Sequence, residues 1–193
     1  ALNVITGPGA TAGEALVTDP RVRMVSFTGS TATGRRILEL ATRNITDVSI
    51  ELGGKSPNII FADADFDQAV AGAVFGILLN NGQNCIAGSR LLVEESIYGD
   101  VVNAVAAKLA SLRIGQPAEE STQLGAIVSK EQLDKIMGYV EKGKAEGARL
   151  VYGGQAPQGE QFAGGFFLEP TLFADVANQM AIAREEIFGP VLV

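Results

Sequence analysis

One thiol and no imidazole bound the chemistry open to this chain. Cys85 is the only cysteine among 193 residues, and there is no histidine. A lone cysteine can neither close an intrachain disulfide nor build a zinc cluster, so no metal site is expected. If Cys85 does chemistry, it is as a nucleophile, and with no histidine in the chain its base points to a carboxylate. Glu51 is the outstanding candidate, in Ser49-Ile50-Glu51-Leu52-Gly53-Gly54-Lys55-Ser56-Pro57. An acid at the end of an apolar strand most often simply faces water. Partial burial would raise its pKa toward working pH, as a general base requires. Cys85 itself follows Asn80-Asn81-Gly82-Gln83-Asn84. An unpaired cysteine is more often inert interior filler, yet this run is too polar for a core seam. A thiol here is reachable, and a helix end or a cationic cofactor beside it would favour the thiolate.

Two glycine-rich turns are candidate anion sites. In Phe27-Thr28-Gly29-Ser30-Thr31-Ala32-Thr33-Gly34 a strand ends and a helix begins. Exposed N–H groups and the positive helix end suit a phosphate there. The Gly29-to-Gly34 spacing imitates a P-loop, but Arg35 and Arg36 stand where lysine and Ser/Thr are required, which excludes an ATP or GTP site. Gly7 to Gly13 does not fit the dinucleotide fingerprint either. Taken singly, each turn is as well explained by ordinary strand-to-helix geometry. Near the other end, Arg184-Glu185-Glu186-Ile187-Phe188-Gly189-Pro190 sets two acids beside an aromatic, which read blandly is a solvated turn with Phe188 buried.

The elements that must position these residues alternate between strand and helix. Strands are expected at Leu2–Ile5, Met24–Thr28, Val48–Leu52, Asn58–Phe61, Leu91–Val93, Leu150–Tyr152 and Thr171–Phe173. Helices are expected to Val17, over Thr33–Arg43 with Ile37, Leu40 and Ala41 on one face, over Phe66–Leu79 with Asp65 as cap, over Tyr98–Leu112, and from Ser129 to about Glu146. That alternation predicts an α/β layer architecture with parallel strands. Hydrophobic residues make up 47% of the chain and charged residues 19%, enough for a real core. A net charge of −7 argues against nucleic acid or an anionic membrane as partner. The longest apolar run, Ala69 to Leu79, falls well short of the ~20 residues that span a bilayer. A single cysteine is compatible with a reducing compartment, so a cytoplasmic setting is expected. No secretory signal opens the chain, and both ends read as cut, the last one mid-strand at Pro190-Val191-Leu192-Val193.

Four segments in this order and spacing resemble the NAD(P)-dependent aldehyde dehydrogenase superfamily. They are Phe27-Thr28-Gly29-Ser30-Thr31 with Gly34, Glu51 to Pro57, Gly82-Gln83-Asn84-Cys85 with Ala87-Gly88-Ser89-Arg90, and Glu185 to Pro190. The resemblance runs the whole chain. It implies an aldehyde-dehydrogenase-like fold of Rossmann-type parallel-sheet layers, incomplete in this chain. Residues 1–52 would be the last part of the NAD(P)-binding domain, and 53–193 the first part of the catalytic domain. Cys85 would attack an aldehyde, its backbone N–H helping to hold the oxyanion. Glu51 would activate the water that hydrolyses the resulting thioester. Thr28, Gly29, Ser30, Leu52 and Gly53 would lie along NAD or NADP, Glu186 would hold the nicotinamide ribose, and Phe188 would pack near the nicotinamide. A homodimer or homotetramer is implied for the parent. A CoA-acylating relative is the alternative within the superfamily, although Glu51 argues against it. A non-catalytic nucleotide-binding or structural relative is the alternative outside it.

The superfamily's Trp-Asn-Phe/Tyr-Pro segment, whose asparagine holds the oxyanion, does not occur here, and the chain has no tryptophan. Loss of one oxyanion donor alone typically costs about 10²- to 10³-fold in rate. The 193-residue chain by itself is therefore expected to show little or no dehydrogenase activity. Aldehyde-dependent NADH formation by the isolated chain, lost in Cys85→Ala, would contradict this.

Overall fold

Capping side chains set the starts of three helices in the computed structural model, which describes residues 2–193. Ser30, Asp65 and Ser129 each accept a hydrogen bond from the backbone N–H three residues on. Each thereby satisfies a donor that the first turn of a helix leaves orphaned. The chain divides into two units, one ending at Gly53 and the other running from Gly54 to Val193.

The first unit contains α1 (Glu14–Thr18), β1 (Met24–Thr28), α2 (Thr31–Ala41) and β2 (Asp47–Glu51). β1 and β2 pair in parallel from Met24↔Asp47 to Thr28↔Glu51, with α2 as the crossover that parallel strands need. Val17, Leu40 and Ala41 are buried together, with Val25, Ile37 and Val48 packed against them. The helical face read from the sequence is therefore the one that faces the core. Leu2–Ile5, expected as a strand, has no strand partner among the described residues, and Leu2, Val4 and Ile5 are exposed. A strand without a neighbour has no ladder to join, so composition alone does not make one. Gly9–Gly13 forms a π-helical turn that runs straight into α1.

The second unit contains β3 (Pro57–Ile60), α3 (Phe66–Leu78), β4 (Arg90–Val93), α4 (Tyr98–Ala110), α5 (Lys130–Ala145), β5 (Arg149–Tyr152), β6 (Thr171–Ala174), α6 (Ala181–Arg184) and β7 (Val191–Leu192). β3 pairs with β4, and β6 with β7, in parallel. β5 and β6 are antiparallel, against the expectation of uniformly parallel strands. The reason is local: residues 153–170 hold one short 3₁₀ turn and no crossover helix, so the chain simply folds back. One core cluster joins α3 and α4 through Val70, Ala73, Ile77, Val101, Val105 and Leu109. The other seats α5 on β6, α6 and β7 through Ile136, Val140, Phe173, Ile182 and Val191. α6 has no counterpart among the expected elements, because four residues are too few to show a period.

Ile136 is fully buried on the inner face of α5. Ile136→Ala is predicted to cost about 2–5 kcal/mol, because transfer and cavity losses add. The cost should appear as a lower urea midpoint at unchanged slope. A change below about 1 kcal/mol would mean that α5 is not seated on this core.

Candidate active site

The first unit carries one half of the sequence-predicted site. β1 ends at Thr28, Gly29 donates its N–H to the Glu51 carbonyl at 3.1 Å, and Ser30 begins α2. The Ser30 hydroxyl accepts from Thr33 N–H at 3.2 Å and lies 3.0 Å from the Thr33 hydroxyl. A Cβ at Gly29 would come within 2.5 Å of the Phe27 ring, and one at Gly34 within 2.7 Å of Leu52. A side chain at either position would have to displace the Phe27 ring or the Leu52 methyl. Beside the turn lies a largely apolar cavity of about 520 Å³, lined by Phe27, Ala32, Thr33, Ile37 and Leu40 among others. Arg36 closes one side of its lining through a paired contact with Glu14, at 2.9 and 3.1 Å. Glu51 ends β2 and is exposed, not partly buried as a general base would prefer; Leu52 is half-buried and Gly53 exposed.

The second unit carries the other half. α3 stops at Leu78, and the following turn holds Asn80, Asn81 and Gly82 all at positive φ, of 54°, 57° and 67°. Asparagine and glycine are the residues that tolerate this region best. The amides that made the sequence look merely polar are clamps. Asn81 donates to the Ala126 carbonyl at 2.9 Å and accepts from Gly125 N–H at 3.3 Å. Gln83 accepts from Val128 N–H at 3.0 Å. Cys85 is exposed at the end of this tethered loop. The Asn84 carboxamide oxygen accepts from Ile86 N–H at 3.1 Å, closing a turn around Cys85, and lies 3.9 Å from its Sγ.

Three segments of this unit converge on Gly54. A Cβ there would lie 2.9 Å from the Cys85 carbonyl oxygen, and Gly54 N–H donates to Glu186 Oε1 at 3.2 Å. Glu185 is engaged elsewhere: it accepts from the Tyr139 hydroxyl at 2.8 Å and pairs with Lys142 at 3.7 Å. Burial and that carboxylate push the Tyr139 hydroxyl up to about 12. The paired acids therefore have separate partners, and Glu186 is the one held at Gly54. In the Glu185–Pro190 segment Ile187 and Pro190 are buried, while Phe188 is half-buried at φ 59°. A bulky residue in the left-handed region carries strain on the order of 1–3 kcal/mol. Gln132, in the first turn of α5, donates to the carbonyls of both Ile187 and Phe188, at 3.1 and 2.8 Å. Nothing in the sequence singled out Gln132; the sole cue was an amide in a helix's first turn.

Lys55 adds a buried charge. Its Nζ is shielded from solvent and has no hydrogen-bond partner, and its carbonyl accepts from Arg90 Nε at 2.8 Å. Burial pushes the ammonium down to about 8, the Arg90 charge adds to this, and Glu186 opposes it.

Comparison with known proteins places the whole chain in one family. The family pattern described as "Aldehyde dehydrogenase family" matches residues 1–193. A betaine aldehyde dehydrogenase of Brucella ovis is 47% identical over 190 residues, covering 98% of this chain and 39% of the relative. A peroxisomal aminoaldehyde dehydrogenase of Pisum sativum is 46% identical over 191 residues, covering 99% of this chain and 38% of the relative. Among solved structures, a betaine aldehyde dehydrogenase of Staphylococcus aureus in complex with NAD+ superposes with a TM-score of 0.96 at 40% identity. It covers 97% of this chain and 37% of its own. The chain thus spans about two fifths of the length of the curated relatives it matches.

Lys55 generates a pH prediction. Its pKa is lower in the folded state than the ordinary 10.5, so folding disfavours the ammonium. The cost is present in full below about 8 and is relieved as pH rises toward 10.5, where the unfolded chain also loses the proton. Lys55→Met should raise the unfolding free energy at pH 7 by on the order of 1–3 kcal/mol, read as a higher urea midpoint, and the gain should fade by pH 10.5. A gain independent of pH would show that the amine's charge is not what costs stability.

Proposed function

The chain belongs to the aldehyde dehydrogenase family, and from that we propose that it is a segment of a longer enzyme that oxidises an aldehyde to a carboxylic acid with NAD+ or NADP+. The observation that supports this most is the convergence on Gly54. One residue contacts the backbone of Cys85 and the carboxylate of Glu186, which is what a nucleophile working beside a cofactor ribose needs.

The residues divide the work as follows. The Cys85 thiolate attacks the aldehyde carbon, and the new C–S bond leaves an oxyanion that the Cys85 N–H helps to hold. A bound nicotinamide cofactor would supply the hydride acceptor; loss of the hydrogen of that carbon with its bonding pair would leave a thioester on Cys85. Glu51 takes a proton from water; the hydroxide adds to the acyl carbon, the C–S bond breaks, and the thiolate is restored. In the first unit, Thr28, Gly29 and Ser30 suit the cofactor's phosphates. The helix start offers N–H donors, and Gly29 leaves no side chain in the way. The apolar cavity beside them suits a flat base. Leu52 and Gly53 would pass along a bound cofactor, Glu186 would hold its ribose hydroxyls, and Phe188 would pack near its nicotinamide. The whole enzyme would be a cytoplasmic homodimer or homotetramer acting on a small-molecule aldehyde, without nucleic-acid or membrane partners. No helix among the described residues is long and apolar enough to cross a membrane. The chain alone, without the rest of the site, would be inactive or nearly so.

In the whole enzyme, Cys85→Ala should abolish aldehyde-dependent NAD(P)H formation. Glu51→Gln should leave a burst of about one NAD(P)H per site, followed by turnover slowed about 10²- to 10⁴-fold. Steady turnover that requires CoA in the unsubstituted enzyme would contradict hydrolysis by Glu51-activated water. Turnover retained in Cys85→Ala would contradict the whole reading.

A further inference from the structure

The turn before Cys85 holds three left-handed residues in succession, Asn80, Asn81 and Gly82, at φ 54°, 57° and 67°. Left-handed residues ordinarily occur singly, because a Cβ there crowds the following carbonyl. A run of three needs support from outside the turn. Gly82 has no Cβ, and Asn81, at the middle of the run, carries the support on its side chain. Its Nδ2 donates to the Ala126 carbonyl at 2.9 Å, and its Oδ1 accepts from Gly125 N–H at 3.3 Å. One carboxamide thus bonds adjacent main-chain groups as donor and acceptor together, which no charged side chain can do. The strap it grips is itself fixed. Leu124 and Ile127 are buried on either side of the gripped pair. The Leu124 carbonyl accepts from Gly115 N–H at 3.1 Å, and Ile127 N–H donates to the Phe166 carbonyl at 2.8 Å.

The turn delivers the main chain of Cys85. The Asn84 side chain accepts from Ile86 N–H at 3.1 Å, and the Asn84 carbonyl accepts from Ala87 N–H at 3.2 Å. These bonds pass over Cys85 and leave its own N–H without an acceptor among the described residues. Resting on the function proposed above, we infer that Asn81 is a positioning residue for the nucleophile: its carboxamide holds the left-handed turn against residues 125–126 and so fixes the direction of the Cys85 N–H, the donor that serves the oxyanion. Removal of the clamp lets the turn relax toward ordinary backbone angles, and the N–H swings off its target. The thiol is exposed and stays reachable. Glu186 is held separately, by Gly54 N–H, and keeps its place.

The test compares two reactions of the same sulfur in the whole enzyme, without cofactor. With p-nitrophenyl acetate the Cys85 thiolate forms a C–S bond to the acyl carbon, an oxyanion develops, and p-nitrophenolate leaves. With iodoacetamide the thiolate displaces iodide and no oxyanion forms. Asn81→Gly still permits the left-handed angles but removes the carboxamide. Asn81→Asp keeps the shape and the acceptor but turns a charged oxygen on the Ala126 carbonyl. In both, acylation should slow about tenfold or more, while alkylation stays within about twofold and NAD(P)H affinity, by fluorescence titration, within about threefold. Unchanged acylation in both variants would overturn the proposal. So would alkylation falling in step with acylation, which places the effect on the thiol or on the fold rather than on the N–H. Slowing confined to Asn81→Asp would trace the effect to the new charge and count against the clamp. An unsubstituted enzyme whose Cys85 is not acylated would instead overturn the functional reading, and this proposal with it.

Discussion

The proposed nucleophile loop and the proposed cofactor loop touch main chain to main chain. A Cβ placed on Gly82 would lie 2.2 Å from the Gly189 carbonyl oxygen and 2.8 Å from the Pro190 nitrogen. Only a residue without a side chain fits, and Gly82 at φ 67° is also in a conformation that only glycine adopts without cost. Both requirements fall on one position. The rest of the second unit is arranged around this contact. α3 ends where the chain must turn into it, α5 supports its far side through Ile136, and β7 leaves it at Val191.

Polar clamps, more than apolar burial, give the site its shape. Cys85 is exposed and Phe188 only half-buried, so neither is positioned by the core directly. Asn81 and Gln83 tie the loop before Cys85 to residues 125–128, and Gln132 ties the loop around Phe188 to the helix that begins just afterwards. Residues 125–132 thus serve both loops. Side-chain amides suit this task because each offers donor and acceptor without charge.

Much of the fold was legible because local signals agreed with one another. Asp65 and Ser129 each precede a helical run, and each caps a helix, whereas the Ser30 cap of α2 was not singled out. The motifs around Cys85, Glu51 and Glu186 were legible for a different reason: a reaction needs particular residue types at fixed spacing, and such spacing survives in the string of letters. What stayed hidden depends on partners distant in sequence. Leu2–Ile5 has the composition of a strand and no neighbour to make it one. β5 and β6 run antiparallel because of what their connection lacks. Gln132 and Ile187 are 55 positions apart, and an amide in a first turn does not announce which carbonyl it will meet. The split between Glu185 and Glu186 is likewise a matter of whether Tyr139 or Gly54 lies opposite.

Covalent chemistry at Cys85 is the centre of the account, and it can be observed directly. The whole enzyme, turning over an aldehyde with NAD(P)+, is quenched in acid, digested, and its peptides weighed by mass spectrometry. The account predicts one acyl adduct, on the peptide carrying Cys85, that depends on both aldehyde and cofactor. An adduct on another residue, or steady oxidation with Cys85 free throughout, would contradict it.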